Sequence, residues 1–200
     1  MAMVDQVIQR SMAEQHQAYT AEVRVIIDAA YAVIARSGRF DPPVRAILAE
    51  AGLSNPAFYR HFRSKDELLL VLLDEGRRQL VQYLDHQIEA AHDPDERVEA
   101  WVRGVLAQST DESAARRTRP FVTQVERLQQ RFPAEQEASE QQLLDQLRAV
   151  LGSARNRWAP TIYSLVFGEL ERYLRTETTP TDNDIDQLVA FVLAGADAVR

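Results

Sequence analysis

Cysteine is absent from the 200-residue sequence, so disulfides, iron–sulfur clusters and thiolate zinc sites are excluded. Glycine and proline are scarce, at seven and eight residues, and no segment alternates apolar and polar residues at the period of a strand. No apolar run approaches the roughly 18 residues that span a bilayer. The first twenty residues carry Asp5, Arg10 and Glu14 among short apolar pairs, which is not the profile of a signal peptide. Low-complexity tracts and internal repeats are missing. Lysine is nearly missing: of 23 basic residues, Lys65 is the only lysine. The expectation is a cytoplasmic protein that does not enter membranes.

Catalytic patterns are equally scarce. His16, His61, His86 and His92 include no pair at the i, i+4 spacing of a helix-borne zinc site. There is no glycine-rich phosphate loop and no G-x-S-x-G elbow. Acid pairs such as Asp74-Glu75 and Glu169/Glu171 read as solvated faces. The chain is expected to need no metal or cofactor and not to be an enzyme.

What the sequence does contain is helix. Its hydrophobic fraction of 46% and charged fraction of 26% are those of a globular protein. Apolar residues recur at three- and four-residue spacing. Val23, Ile26, Ile27, Ala30 and Ile34 form one such stripe, which Ser37-Gly38 closes with a left-handed cap. A short helix starts at Asp41-Pro42-Pro43, with Asp41 as its cap, and ends at Gly52. Another begins at Ser54-Asn55-Pro56. Ser64-Lys65-Asp66-Glu67 fits a capping box at the head of a long helix to about residue 91, and Asp93-Pro94-Asp95-Glu96 repeats the pattern. Residues 109–119 read as a polar connection, with helices opening near Pro120 and Pro133. The latter ends at Gly152-Ser153, and two more run over 160–175 and 182–199. The fold class is all-α, with about nine helices and a further N-terminal one around Val4, Val7, Ile8 and Met12.

Two short helices, roughly 43–50 and 55–61, flank the tight turn Ala51-Gly52-Leu53. That is a helix-turn-helix candidate, with Ile47, Ala51, Leu53, Phe58 and Phe62 as its small core. Charge supports it. The net charge of the chain is -7, which by itself argues against DNA. Residues 36–65, however, carry six cations (Arg36, Arg39, Arg45, Arg60, Arg63, Lys65) against Asp41 and Glu50, a net of +4. Long cations interleaved with Tyr59 and His61 suit contact with a phosphate backbone.

The string from Ile47 to Leu68, with Ala51-Gly52-Leu53-Ser54, Tyr59, His61-Phe62 and Ser64-Lys65-Asp66-Glu67, resembles the DNA-binding signature of the TetR/AcrR family of bacterial transcriptional regulators. Ile26-Ile27-Asp28-Ala29-Ala30 and Ser37-Gly38 resemble that family's first helix, so about fifty residues are covered. Leu48, Pro42-Pro43 and Asn55-Pro56 depart from its usual residues. The resemblance implies an N-terminal three-helix helix-turn-helix domain (20–64) after an extension (1–19), then a C-terminal helical effector-binding and dimerisation domain (65–200). It further implies that Ser54, Asn55, Pro56 and Ala57 meet base edges, with Asn55 suited to pair with adenine. Arg45 would reach a guanine or a phosphate. Tyr59, His61 and Lys65 would clamp phosphates, with the dipole of the following helix adding to the lysine. Arg60 is either a contact or merely solvated, and Ser54 either a contact or a cap.

Residues 65–200 name no chemistry of their own. Taken singly, Trp101, Phe121, Tyr163 and Phe167 read first as ordinary core packing; the same resemblance implies that they line an apolar effector pocket. The charged Arg148, Arg155, Arg157 and Arg172 could face in or out. Ile162, Leu165, Val166 and Leu170, with Ile185, Leu188, Val189 and Val192, would form a four-helix homodimer interface, as a palindromic double-stranded DNA operator demands. The implied function is a transcriptional repressor released from its operator by a small-molecule effector. A helical binding or adaptor protein without a transcriptional role is the alternative.

Overall fold

The computed structural model describes residues 3–39, 41–122 and 124–197, without the side chain of residue 7. The described residues form helices α1 (Met3–Ser37), α2 (Val44–Ala51), α3 (Asn55–His61), α4 (Lys65–Glu89), α5 (Pro94–Thr110), α6 (Glu112–Val122), α7 (Val125–Arg131), α8 (Pro133–Arg155), α9 (Ala159–Thr176) and α10 (Asp182–Asp197). A single 3-10 turn, Asn156–Trp158, joins α8 to α9, and there is no strand among these residues. The all-α expectation holds. The chain divides into two compact units, 1–72 and 73–200, and α4 runs through the boundary without a break.

In the first unit the N-terminal segment does not form a separate helix but continues into α1. Described side chains from Met3 to Ala21 are exposed, and burial begins with Ile26, Ile27, Ala30 and Ile34, the stripe read from the sequence. These pack with Ile47, Leu48, Phe58, Phe62, Leu68, Leu69 and Leu72 into a small core. The Tyr31 hydroxyl donates to the Leu72 carbonyl at 2.6 Å and ties α1 to the start of α4. Gly52 caps α2 at φ 66°, a left-handed angle that glycine takes without Cβ strain. The cap expected at the other end is different. Pro43, not Asp41, precedes α2, without a side-chain cap.

The second unit is built around α5. Asp93 caps it as a complete capping box, accepting from the Asp95 and Glu96 amides at 2.9 Å each. Val98, Trp101, Val102, Val105 and Leu106 then share one core with Leu84, with Leu143 and Leu147 of α8, Val166 and Leu170 of α9, and Val189 and Val192 of α10. Residues 112–119, expected as part of a connection, are instead helical. Asp111 accepts from the Ala114 amide at 2.7 Å, and Glu112–Arg116 is an i, i+4 ion pair, both of which support a helix start. Pro120 lies in the last turn of that helix rather than at the head of another. Gly152 does break the backbone of α8, at φ 68° and ψ 175°.

Candidate functional site

Helix α3 presents two faces. Ala57 and Phe58 point into the core, while Ser54, Asn55, Pro56, Tyr59 and Arg60 are exposed, as is Arg45 on α2. Ala57, expected at base edges, is therefore turned inward by the helical period and offers no contact surface. Ser54 precedes α3 in extended conformation, and its hydroxyl makes no cap hydrogen bond. Tyr59 is 62% exposed and packs edge-on against Phe58, ring centroids 5.2 Å apart.

His61 departs from the expected arrangement. Its side chain is 0% exposed, with Nε2 2.7 Å from Glu22 Oε2 of α1 and Tyr19 set edge-on against its ring at 4.4 Å. Nδ1 is buried without a partner. In this arrangement His61 is an inter-helix strut rather than a phosphate clamp. Glu22 also holds Arg60 at 3.2 Å. The hydrogen bond from His61 lowers the Glu22 pKa below its ordinary value; burial opposes this, and the charges of Arg60 and His61 add to it. Lys65 heads α4 and is ion-paired with Asp41, the residue expected to cap α2. At the same helix end, Ser64 Oγ accepts from the Glu67 amide at 3.1 Å, and the Glu67 carboxylate accepts from the amide of Arg63.

In the second unit, Ile162, Val166, Leu170, Ile185, Val189 and Val192 are buried within their own chain. Leu165 and Leu188 pack partly against the same core. The stripe expected at a dimer interface is thus the internal core, because α5 already covers it. The outer surface shows Phe191, 66% exposed, and Gly168 and Gly195, at which an added Cβ would meet nothing. Sequence reasoning passed over Phe191 because it breaks the stripe, and that break was the available signal.

Three of the four expected pocket residues form one aromatic run. Trp101 meets Phe167 edge-on at 6.2 Å, and Phe167 stacks on Tyr163 at 4.3 Å. Phe121 is buried on α6. Trp101 Nε1 donates to Gln146 Oε1 at 3.2 Å. Burial raises the Tyr163 pKa well above its ordinary range; Glu140 adds to the shift and Arg77 opposes it. Of the arginines left open, Arg148 pairs with Asp145, Arg172 with Glu169, and Arg155 with Asp95 and Asp197. Arg157 lies over Trp158, 5.4 Å from the ring. The arginine near Tyr163 is Arg77 of α4, which donates to Gln136 and Glu140 of α8. Gln136 and Ser139 were overlooked, yet they continue the Leu143–Leu147 stripe toward the helix start at i-4 and i-7. Polar residues on an inward stripe were a legible signal.

Residues 26–72 match the sequence profile of the bacterial regulatory proteins of the tetR family. The HTH-type transcriptional regulator BetI of Brucella canis is 36% identical over 77 residues, which cover 38% of this chain and 39% of BetI. The fatty acid metabolism regulator protein of Bacillus subtilis is 33% identical over 64 residues, 32% of this chain and 33% of that protein. The matched stretches thus span well under half of these relatives. Fold likeness extends further. A Rhodococcus transcriptional regulator superposes with a TM-score of 0.67 at 22% identity, covering 89% of this chain and 99% of its own. A TetR transcription regulator of Haloarcula marismortui gives 0.66 at 18%, covering 90% and 98%. The Bacillus subtilis regulator FadR, solved with stearoyl-CoA, gives 0.60 at 21%, covering 87% and 95%. The sequence likeness to the tetR family of bacterial regulatory proteins thus lies in residues 26–72, the stretch that carries the exposed face of α3.

Proposed function

We propose that the chain is a cytoplasmic, homodimeric transcriptional repressor that leaves a palindromic operator when a small-molecule effector binds residues 73–200. The observation that carries this reading is the split of α3: Ala57 and Phe58 anchor it, and Ser54, Asn55, Tyr59 and Arg60 face outward together from a basic segment. Ser54, Asn55 and Pro56 begin the helix and read bases, with Asn55 pairing to adenine. Tyr59, Arg45, Arg60 and Lys65 contact phosphates, Arg60 and Lys65 by exchanging Glu22 and Asp41 for the DNA backbone. Exposed Phe191, Gly168 and Gly195 supply the homodimer surface. A dimer meets successive major grooves about 34–36 Å apart, and effector binding favours a dimer that no longer matches this spacing. FadR, of the same fold, holds stearoyl-CoA, which supports small-molecule binding here. The regulatory relatives favour a binding protein over an enzyme.

A gel-shift titration against DNA flanking the chain's own gene tests the proposal. A shift at low salt is expected, with Lys65→Ala weakening binding to all sequences and flattening the salt slope by about one. Asn55→Ala should relax preference at one base position, costing about 1–3 kcal/mol there. No shift at low salt would favour an adaptor protein.

A further inference from the structure

The second unit contains a buried polar group that its own packing leaves unfinished. Gln136 and Ser139, one turn apart on α8, are 1% and 6% exposed, and Gln136 Nε2 and Ser139 Oγ have no hydrogen-bond partner. The amide orientation is fixed: Arg77 Nη1 donates to Gln136 Oε1 at 2.7 Å, and a guanidinium cannot accept. Both Nε2 hydrogens are therefore directed away from Arg77. Buried donors carry a full desolvation penalty when left unpaired, and two on adjacent turns of one helix face are uncommon in a core. The neighbouring charges cancel, since Arg77 Nη2 holds Glu140 Oε1 at 3.0 Å. The charges of Glu140 and Arg77 both act on Tyr163, which stacks on Phe167.

We infer that Gln136 and Ser139 form the polar end of an effector site that takes an uncharged carbonyl compound, an ester or amide, whose apolar body lies along Tyr163 and Phe167. This deepens the effector-responsive reading above and rests on it. The chemistry selects the class. Orphan donors need an acceptor oxygen. A carboxylate would have to compete with Gln136 and Glu140 for Arg77, whose guanidinium already donates to both. Among the described residues of this unit, the Ser139 oxygen is the one buried orphan atom that could accept from an ammonium group.

Isothermal titration of the full chain with four matched probes tests this: methyl 4-phenylbutanoate, 4-phenylbutanoate, 4-phenylbutan-1-amine and butylbenzene. The ester is expected to bind tightest. Gln136→Met should weaken it about tenfold and Ser139→Ala about threefold, with butylbenzene unchanged by either. Ser139→Ala removes an unpartnered hydroxyl, so it should fold with an unchanged melting temperature and keep the test available if Gln136→Met does not fold. Equal binding of ester and butylbenzene, preference for the carboxylate, an ester affinity indifferent to the variants, or no binding by any probe overturns the inference. Gel shifts on the same protein keep the two readings apart. Ester binding without DNA binding defeats the regulator alone, and DNA binding without ester binding defeats the site alone.

Discussion

At the scale of single residues, the first unit shows what a local motif can and cannot specify. Ser54, Asn55 and Tyr59 face solvent because a seven-residue helix can bury only one side, and Phe58 claims that side. This much is written in residues 54–62. The place of His61 is not, because its partners Glu22 and Tyr19 lie about forty positions earlier on α1, and nothing in the local string announces them. Glu22 makes the strut titratable. Its folded pKa is below the ordinary 4.5, first through the His61 hydrogen bond and then through Arg60 and His61 charge. A lowered carboxylate pKa means the stabilisation is complete above about pH 4.5 and is lost as pH falls through the folded value. Acid unfolding of the wild type and Glu22→Gln should show this directly. The variant is expected to be less stable at pH 6, with the gap closing as pH falls toward 3. A gap independent of pH would show that Glu22 acts only through packing.

At the scale of elements, caps and stripes were legible and close approaches were not. The capping box at Asp93 and the break at Gly152 follow from residue types in order. The helix over 112–122 was hidden because its first two turns expose arginines on one side and bury only alanines on the other. Gly104 has the opposite character. A Cβ placed there would lie 2.5 Å from Leu84 Cδ2, and Leu84 is fully buried with little room to move. Gly104→Ala should therefore destabilise the chain by about 1–3 kcal/mol, despite alanine's higher helix propensity. Urea unfolding measures this, and a stabilised variant would mean that α4 and α5 can separate freely. Glu177 offers the converse. It ends α9 at φ 56° and ψ 31°, where Thr178 N donates to Tyr173 O at 3.1 Å in a Schellman-like cap. Glu177→Gly relieves the left-handed strain and is expected to stabilise by about 1 kcal/mol. A loss of stability would show that the distant pairing with Arg119, at 3.9 Å, outweighs the backbone.

At the scale of the whole molecule, distribution matters more than totals. A net charge of -7 conceals a +4 segment around α3. Likewise, the apolar stripes of α9 and α10 say little about assembly, since one chain consumes them in its own core. What the core leaves over is decisive. Phe191 is the largest apolar side chain of α10 and stays 66% exposed, costly for a monomer but useful to a two-fold pair. In a closed dimer each interface residue counts twice. Removing an aromatic anchor at about 2 kcal/mol per copy would then weaken dimerisation by about 4 kcal/mol, roughly a thousandfold. If the proposed homodimer uses this face, Phe191→Asp should thus sediment as a monomer at concentrations where the wild type sediments as a pair. Its far-UV circular dichroism and melting at high dilution should be unchanged, because Phe191 contributes little to its own core. Operator affinity should fall with the dimer, since two half-sites are then bound separately rather than by one linked pair. An unaltered dimer would place the interface on another face, and a monomer with full operator affinity would separate DNA reading from assembly altogether.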